Sequence, residues 1–285
     1  MSIAKILVPV DGTPRDREAL DAAIAAAKPF CAHIEALFAH PNPAEQMPVL
    51  GVPFTPDVMG ALVDANTALF TAARERAHAA VAEACRVSGI ALLDKQVRQD
   101  SKVTCTFRAV MGDPPKALAK AASLTDLVVL HPCAGSPAAF EAAIDVVLES
   151  HRPLLVAAGA VDPFGKALIA WDGSMAASRA VTAALPFLQH AGWVEIVCVC
   201  HRDAEMPGTS EIADYLKLQD VHAALKELKV SGTSIPDALM DYAARSRASL
   251  LVMGGFGHSR VRETLFGGVT NDILRKATFP IFLTH

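Results

Sequence analysis

VMGGFGHSRVRETLFGGVTNDILRKATFPIFLTH, Val252 to His285, decides how the chain is read. Leu250, Leu251, Val252 and Met253 close a continuous apolar run of the kind that a strand buried on both faces needs. Gly254, Gly255 and Gly257 follow at once, and a second glycine pair, Gly267–Gly268, comes ten residues after Gly257. Glycine accepts positive φ and lets a ligand approach the backbone, so glycines at a strand end are candidate cradles for an anion. Val269 and Thr270 open an amphipathic helix whose free N–H groups face the same place. Phe279–Leu283 returns as a last strand, with Pro280 at its start, where the missing N–H does least harm. Strand, glycine loop, glycine-capped helix and strand make a phosphate site out of backbone.

Working outward, the same grammar appears twice. Ala4–Val10 is an apolar strand stopped by Asp11-Gly12-Thr13 and followed by an alanine-rich helix. Lys166–Trp171 is stopped by Asp172-Gly173-Ser174 and again followed by a helix, so Asp11 answers to Asp172 at an offset of 161 residues. Asp126–Leu130 matches Ser249–Met253, and Arg152–Val156 matches Phe279–Leu283. A repeat of this length is a tandem duplication. Strands are expected at 4–10, 33–39, 102–108, 126–131 and 153–157, then at 166–171, 194–200, 222–229, 249–253 and 280–284. Helices between them (near 14–28, 58–88, 114–123, 139–150, 174–189, 210–218, 235–246 and 268–277) give an α/β fold of two doubly wound parallel-sheet domains. The domains are expected at 1–158 and 163–285, joined where Asp162, Pro163 and Gly165 cluster.

Gly254, Gly257 and Gly267 stand at the Gly-x2-Gly-x9-Gly spacing of the universal stress protein family, which this chain resembles. The family pattern continues with Ser or Thr, whereas here Gly268 follows, so one hydroxyl donor to a phosphate is missing; Thr270 lies two residues on. The resemblance covers nearly the whole chain by architecture and implies a Rossmann-like fold similar to the adenine nucleotide alpha-hydrolases. It implies an ATP-binding protein of the stress response, with Mg²⁺ as the companion ion. It assigns Ala170, Asp172 and Val199 to base and ribose, and Gly254, Gly257, Gly267 and Gly268 to phosphates. In a doubly wound sheet a ligand sits at the carboxyl ends of the strands where their order reverses, which adds Trp171 and Met253. His258 and Ser259, inside the loop, can donate to phosphate oxygens. Asp172 has a second reading as a helix cap. The first domain keeps Asp11-Gly12 but has His131–Phe140 where the glycine loop should be. Carboxylates at Glu141 and Asp145 follow, and they repel a phosphate. Its site is expected to be degenerate.

The totals exclude several classes. A chain of 285 residues suits two domains of about 140 each. Net charge −4 and scattered basic residues give no nucleic-acid footprint. The apolar runs are too short to span a membrane. Six cysteines without CxxC spacing fit free thiols in a reducing cytoplasm. A metal site at Cys198, Cys200 and His201 would need ligands from elsewhere.

The chain shows no nucleophile elbow, HExxH or GxxxxGK[ST]. The expected function is therefore ATP binding in the C-terminal half, with conformation or partner choice as the output. The alternatives are a nucleotide-independent interaction protein, or an enzyme that slowly hydrolyses ATP or transfers adenylyl groups. Pro153–Ala157 and Pro280–Thr284 are edge strands that can cover each other antiparallel. This gives an intramolecular pseudo-dimer of the two halves, with a homodimer as the further arrangement.

Overall fold

A computed structural model describes residues 2–41, 56–97, 99, 101–130, 150–201, 207–255 and 269–284. The strands are β1 Lys5–Val10, β2 His33–His40, β3 Ala91–Leu93, β4 Thr104–Met111, β5 Leu127–Leu130 and β6 Leu154–Val156, then β7 Lys166–Ala170, β8 Trp193–His201, β9 Ala223–Val230, β10 Leu250–Gly254 and β11 Ile281–Thr284. The helices are α1 Asp16–Ala27, α2 Pro56–Ser88, α3 Pro114–Ala122, α4 Met175–Leu188, α5 Ser210–Leu218, α6 Ile235–Arg245 and α7 Val269–Lys276. Among these residues the sequence-based assignment misses β3, whose three residues are too few to show alternation, and the single 3-10 turn at Lys28–Phe30. The expected helix near 139–150 falls almost entirely outside the described residues.

All eleven strands join one sheet in the order β3-β4-β2-β1-β5-β6-β11-β10-β7-β8-β9. Within β1–β6 and within β7–β11 every pairing is parallel, with helices crossing over between strands. The exception is the seam: β6 and β11 run antiparallel, with Ile281 opposite Val156, Phe282 opposite Leu155 and Leu283 opposite Leu154. The pairing expected of the two terminal apolar strands is thus present in the structure.

Alternation along the strands sends side chains to two cores. Ile6, Val8, Ile34, Leu155, Ile169, Val252 and Phe282 face α1, α2, α4 and α5. Leu7, Val128, Leu154, Leu168, Met253, Ile281 and Leu283 face α3, α6 and α7. Under the seam on the first face, Phe30 meets Phe187 edge-on at 5.2 Å, and Phe187 lies 5.8 Å from Phe282. Phe282 is fully buried, so this cluster alone removes several hundred Å² of ring surface from water.

A charged pair repeats at matching places. Lys5 Nζ lies 2.6 Å from Glu35 Oε2, and Lys166 Nζ lies 2.7 Å from Glu195 Oε2. The registers agree as well, with Leu7 beside Glu35 and Leu168 beside Glu195. Each carboxylate takes a further, different partner. Arg108 binds Glu35, while the Tyr242 hydroxyl donates to Glu195 at 2.8 Å. Burial alone would raise the Glu35 carboxyl, but the Lys5 and Arg108 cations hold it below its usual range. Burial and the Glu195 carboxylate push the Tyr242 hydroxyl up to about 12.

None of the helices is long and apolar enough to cross a membrane, among the described residues.

Two predictions follow from this packing. Truncation after Ala277 deletes β11 and uncovers β6, so the product should self-associate through residues 154–156 or precipitate. A truncated protein that light scattering finds monomeric, and as stable as the full chain, would contradict the seam. Lys5→Met leaves Glu35 buried with one cation, and urea unfolding should show a loss of about 3 kcal/mol; an unchanged midpoint would mean that Arg108 alone suffices.

Candidate functional site

Strand order reverses between β7 and β10: β7 continues outward to β8, and β10 continues to β11. The carboxyl ends of these two strands therefore border the crevice that a doubly wound sheet leaves for a ligand. At its rim Trp171 N–H donates to the Val197 carbonyl at 2.9 Å, which extends the β7–β8 ladder by one residue. Asp172 Oδ1 then accepts from the Ser174 N–H at 2.9 Å, and Gly173 turns the chain at φ +76°. Ser174 Oγ in turn accepts from the Ala177 N–H at 3.1 Å and caps α4. The first repeat builds the same turn: Asp11 Oδ1 accepts from the Thr13 N–H at 2.9 Å, and Gly12 has φ +81°. The aspartate is thus not the helix cap but the side chain that closes the turn before it. Asp172 remains exposed, with a single oxygen committed to the turn.

Alternation sorts the other candidates. Ala170, Val199 and Met253 all lie on the sheet face that packs against α6 and α7, the first two half-buried and Met253 buried. They form an apolar wall at the strand ends. Trp171 goes to the opposite face, where its Nε1–H donates to the Gly208 carbonyl at 3.0 Å. The structure does not bring it to the wall, because neighbouring residues on an extended chain point opposite ways. Gly254 ends β10 beside Thr284, and a Cβ added there would sit 2.5 Å from the Ala176 carbonyl carbon and the Ala177 nitrogen. Its lack of a side chain is required by the first turn of α4. Val269 and Thr270 open α7, with Thr270 half-buried, so the free N–H groups of this helix stand at its amino-terminal end. Gly257, His258, Ser259, Gly267 and Gly268 lie outside the described residues, as do Arg260, Arg262, Glu141 and Asp145.

Sequence reasoning missed the buried acid of the first repeat. Asp16, 4% exposed, accepts from the Asp11 N–H at 3.0 Å and from the Gly12 N–H at 2.9 Å. Burial pushes its carboxyl up to about 6, and the neighbouring Asp11 carboxylate adds to the rise. No pattern of spacing signals this, because Asp16 reads as an ordinary first-turn acid of α1. Above the same turn runs α2: a Cβ on Gly12 would lie 2.4 Å from the Ala73 carbonyl oxygen, and Arg76 Nε donates to the Gly12 carbonyl at 3.2 Å. In the second repeat, among the described residues, the matching Gly173 meets Pro207, whose Cβ would lie 3.3 Å from an added Cβ. The first turn is therefore roofed by the backbone of α2, and its Asp11 and Gly12 N–H groups are taken by the Asp16 carboxylate.

Cys198 and Cys200 are buried on β8, and burial pushes the Cys198 thiol up to about 11. Among the described residues no three His, Cys, Asp or Glu side chains gather as a metal site. A shallow cavity of about 430 Å³ lies at the amino-terminal ends of β8 and β9, lined by Trp193, Lys217, Val221 and His222. It is at the wrong end of the strands for the crevice and holds none of the residues singled out above.

Residues 163–285 match the model of the Universal stress protein family. A universal stress protein of Synechocystis sp. is 25% identical over 135 residues, covering 46% of this chain and 46% of that relative, so the match spans about half the relative's length. A universal stress protein from Archaeoglobus fulgidus DSM 4304 superposes over 98% of this chain and 95% of its own, with a TM-score of 0.66 and 16% identity. A functionally unknown protein from Pseudomonas aeruginosa PAO1 covers 99% and 92%, with a TM-score of 0.57 and 13% identity. At such identities the structural likeness establishes the fold.

Gly254→Ala should cost about 1–3 kcal/mol in urea unfolding without any ligand, through the collision with α4; an unchanged midpoint would return Gly254 to a purely ligand-facing role. Asp16 makes stability depend on pH. Its folded value is raised from 3.8 to about 6, so the native state takes up a proton that the unfolded chain does not. Stability from this group therefore grows as pH falls from about 6 to about 4, by an amount of order 2 kcal/mol. Asp16→Asn should flatten the unfolding free energy in that window, and a variant that keeps the wild-type slope would show that another group carries it.

Proposed function

We propose that residues 163–285, the stretch that matches the Universal stress protein family model, form a domain that binds an adenine nucleotide, ATP with Mg²⁺. The observation that carries this reading is the convergence of Ala170, Val199 and Met253 as an apolar wall at the reversal of strand order. The exposed Asp172 carboxylate lies on one side of it and the amino-terminal end of α7 on the other. An adenine ring suits a wall of small and flexible apolar side chains with few polar neighbours. Asp172 can accept from a ribose hydroxyl or the adenine amino group. The triphosphate runs toward the α7 amino end and the glycines Gly257, Gly267 and Gly268, with His258 and Ser259 as further donors.

The first repeat, residues 1–158, binds no nucleotide in this reading, because Asp16 and α2 occupy its Asp-Gly turn. The two domains act as a pseudo-dimer within one chain, joined through β6 and β11. All five described cysteines are unbridged, which fits a cytoplasmic protein. The output is conformation: a ligand held between β7, β10 and α7 changes the surface the domain offers to a partner in the stress response.

Isothermal calorimetry with ATP and Mg²⁺ should give one site per chain. Asp172→Ala should weaken binding about tenfold, the loss of one hydrogen bond to a polar ligand group. Asp11→Ala breaks the equivalent turn in the first repeat and should leave binding unchanged. Two equivalent sites, no binding at all, or equal effects of the two substitutions would overturn the proposal.

A further inference from the structure

The sheet has two free margins, and they are unlike. At one end β3 is three residues long, too short to offer a ladder. At the other, β9 presents eight residues, Ala223–Val230, paired to β8 on its inner side alone among the described residues. An unpaired strand of this length is a template for another strand. Its side chains narrow the choice of partner. Leu225, Glu227 and Lys229 share one face of the sheet, and Lys226, Leu228 and Val230 share the other. Glu227 and Lys229 are exposed, and Leu225 is 48% exposed although it lies on a strand.

We propose that β9 pairs with β9 of a second copy of this chain, antiparallel about a two-fold axis through Leu228, so that two sheets become one. Residues directly opposite in an antiparallel pair share a face, and a two-fold axis normal to the sheet keeps every side chain on its own face. With the axis at Leu228, Glu227 of each copy stands opposite Lys229 of the other, which makes two cross-strand ion pairs. Lys226 stands opposite Val230, and Leu225 is covered by the chain at Ser231. Moving the axis to Lys226, Glu227 or Lys229 sets like charges opposite each other, which is destabilising. Moving it to Leu225 shortens the overlap to residues 223–227 and pairs no opposite charges. The pattern Leu225-Lys226-Glu227-Leu228-Lys229-Val230 thus selects one register and one partner, itself. The seam between β6 and β11 shows the same solution inside the chain: an edge strand is covered antiparallel by its counterpart from the other repeat.

Sedimentation equilibrium on the full chain tests this without reference to any nucleotide. The wild type should be a dimer that loosens as salt rises. Glu227→Lys and Lys229→Glu each set two like pairs opposite each other, and each should weaken the dimer about tenfold or more. The double variant Glu227→Lys/Lys229→Glu restores opposite charges and should recover it. All three changes are on an exposed edge, and circular dichroism at dilute concentration checks that the monomer is folded. A monomeric wild type overturns the proposal, as do single variants that dimerise as tightly as the wild type or a double variant that fails to recover.

Discussion

Everything in this molecule depends on how two short apolar edges are covered. A strand of Leu154, Leu155 and Val156 left at a sheet margin would expose an apolar ladder to water and to other chains. The strand that covers it, β11, comes from the far end of the chain and carries the same kind of residues in the opposite direction. Antiparallel pairing is what a two-fold relation between two similar sheets produces, and it lets both faces of the seam be packed by helices. Phe30, Phe187 and Phe282 then close the first face beneath it. The sheet on either side can stay wholly parallel because its vulnerable inner margin no longer exists.

Duplication explains what is shared, and later change explains what is not. The pairs Lys5–Glu35 and Lys166–Glu195 occupy the same register at the same depth. A buried carboxylate is costly to keep, and each repeat has satisfied its own with a second partner, Arg108 in one and Tyr242 in the other. The Asp-Gly turns likewise share one hydrogen bond, which the aspartate accepts from the N–H two residues on. Above the turns the repeats part. A 33-residue helix crosses the first, whereas among the described residues Pro207 and Gly208 reach the second. One turn is crossed by a helix backbone, and the other stays at the rim of a crevice.

The sequence by itself determined the architecture. Its signals are local and strong: apolar runs of strand length, glycine and proline at their ends, and a repeat offset of 161 residues that aligns Asp11 with Asp172. Val199 and Met253 could be placed in advance from the carboxyl ends of the strands, and the family resemblance supplied Ala170. Lys5 and Lys166 repeat at an offset of 161 and Glu35 and Glu195 at 160, but it is the strand register that shows them to be pairs.

Only the tertiary structure decided the roles that depend on approach between distant segments. Trp171 left the wall because a one-residue step along a strand reverses the side chain, and Gly208 waited on the other face. Gly254 turned out to serve the contact with Ala176 and Ala177, seventy-odd residues earlier. Asp16 became a buried acid because its two backbone donors, at Asp11 and Gly12, and the roof of α2 meet around it. Pattern and propensity act over a few residues. Burial, close approach and a shifted proton affinity arise where segments far apart in the chain share the same few cubic ångströms.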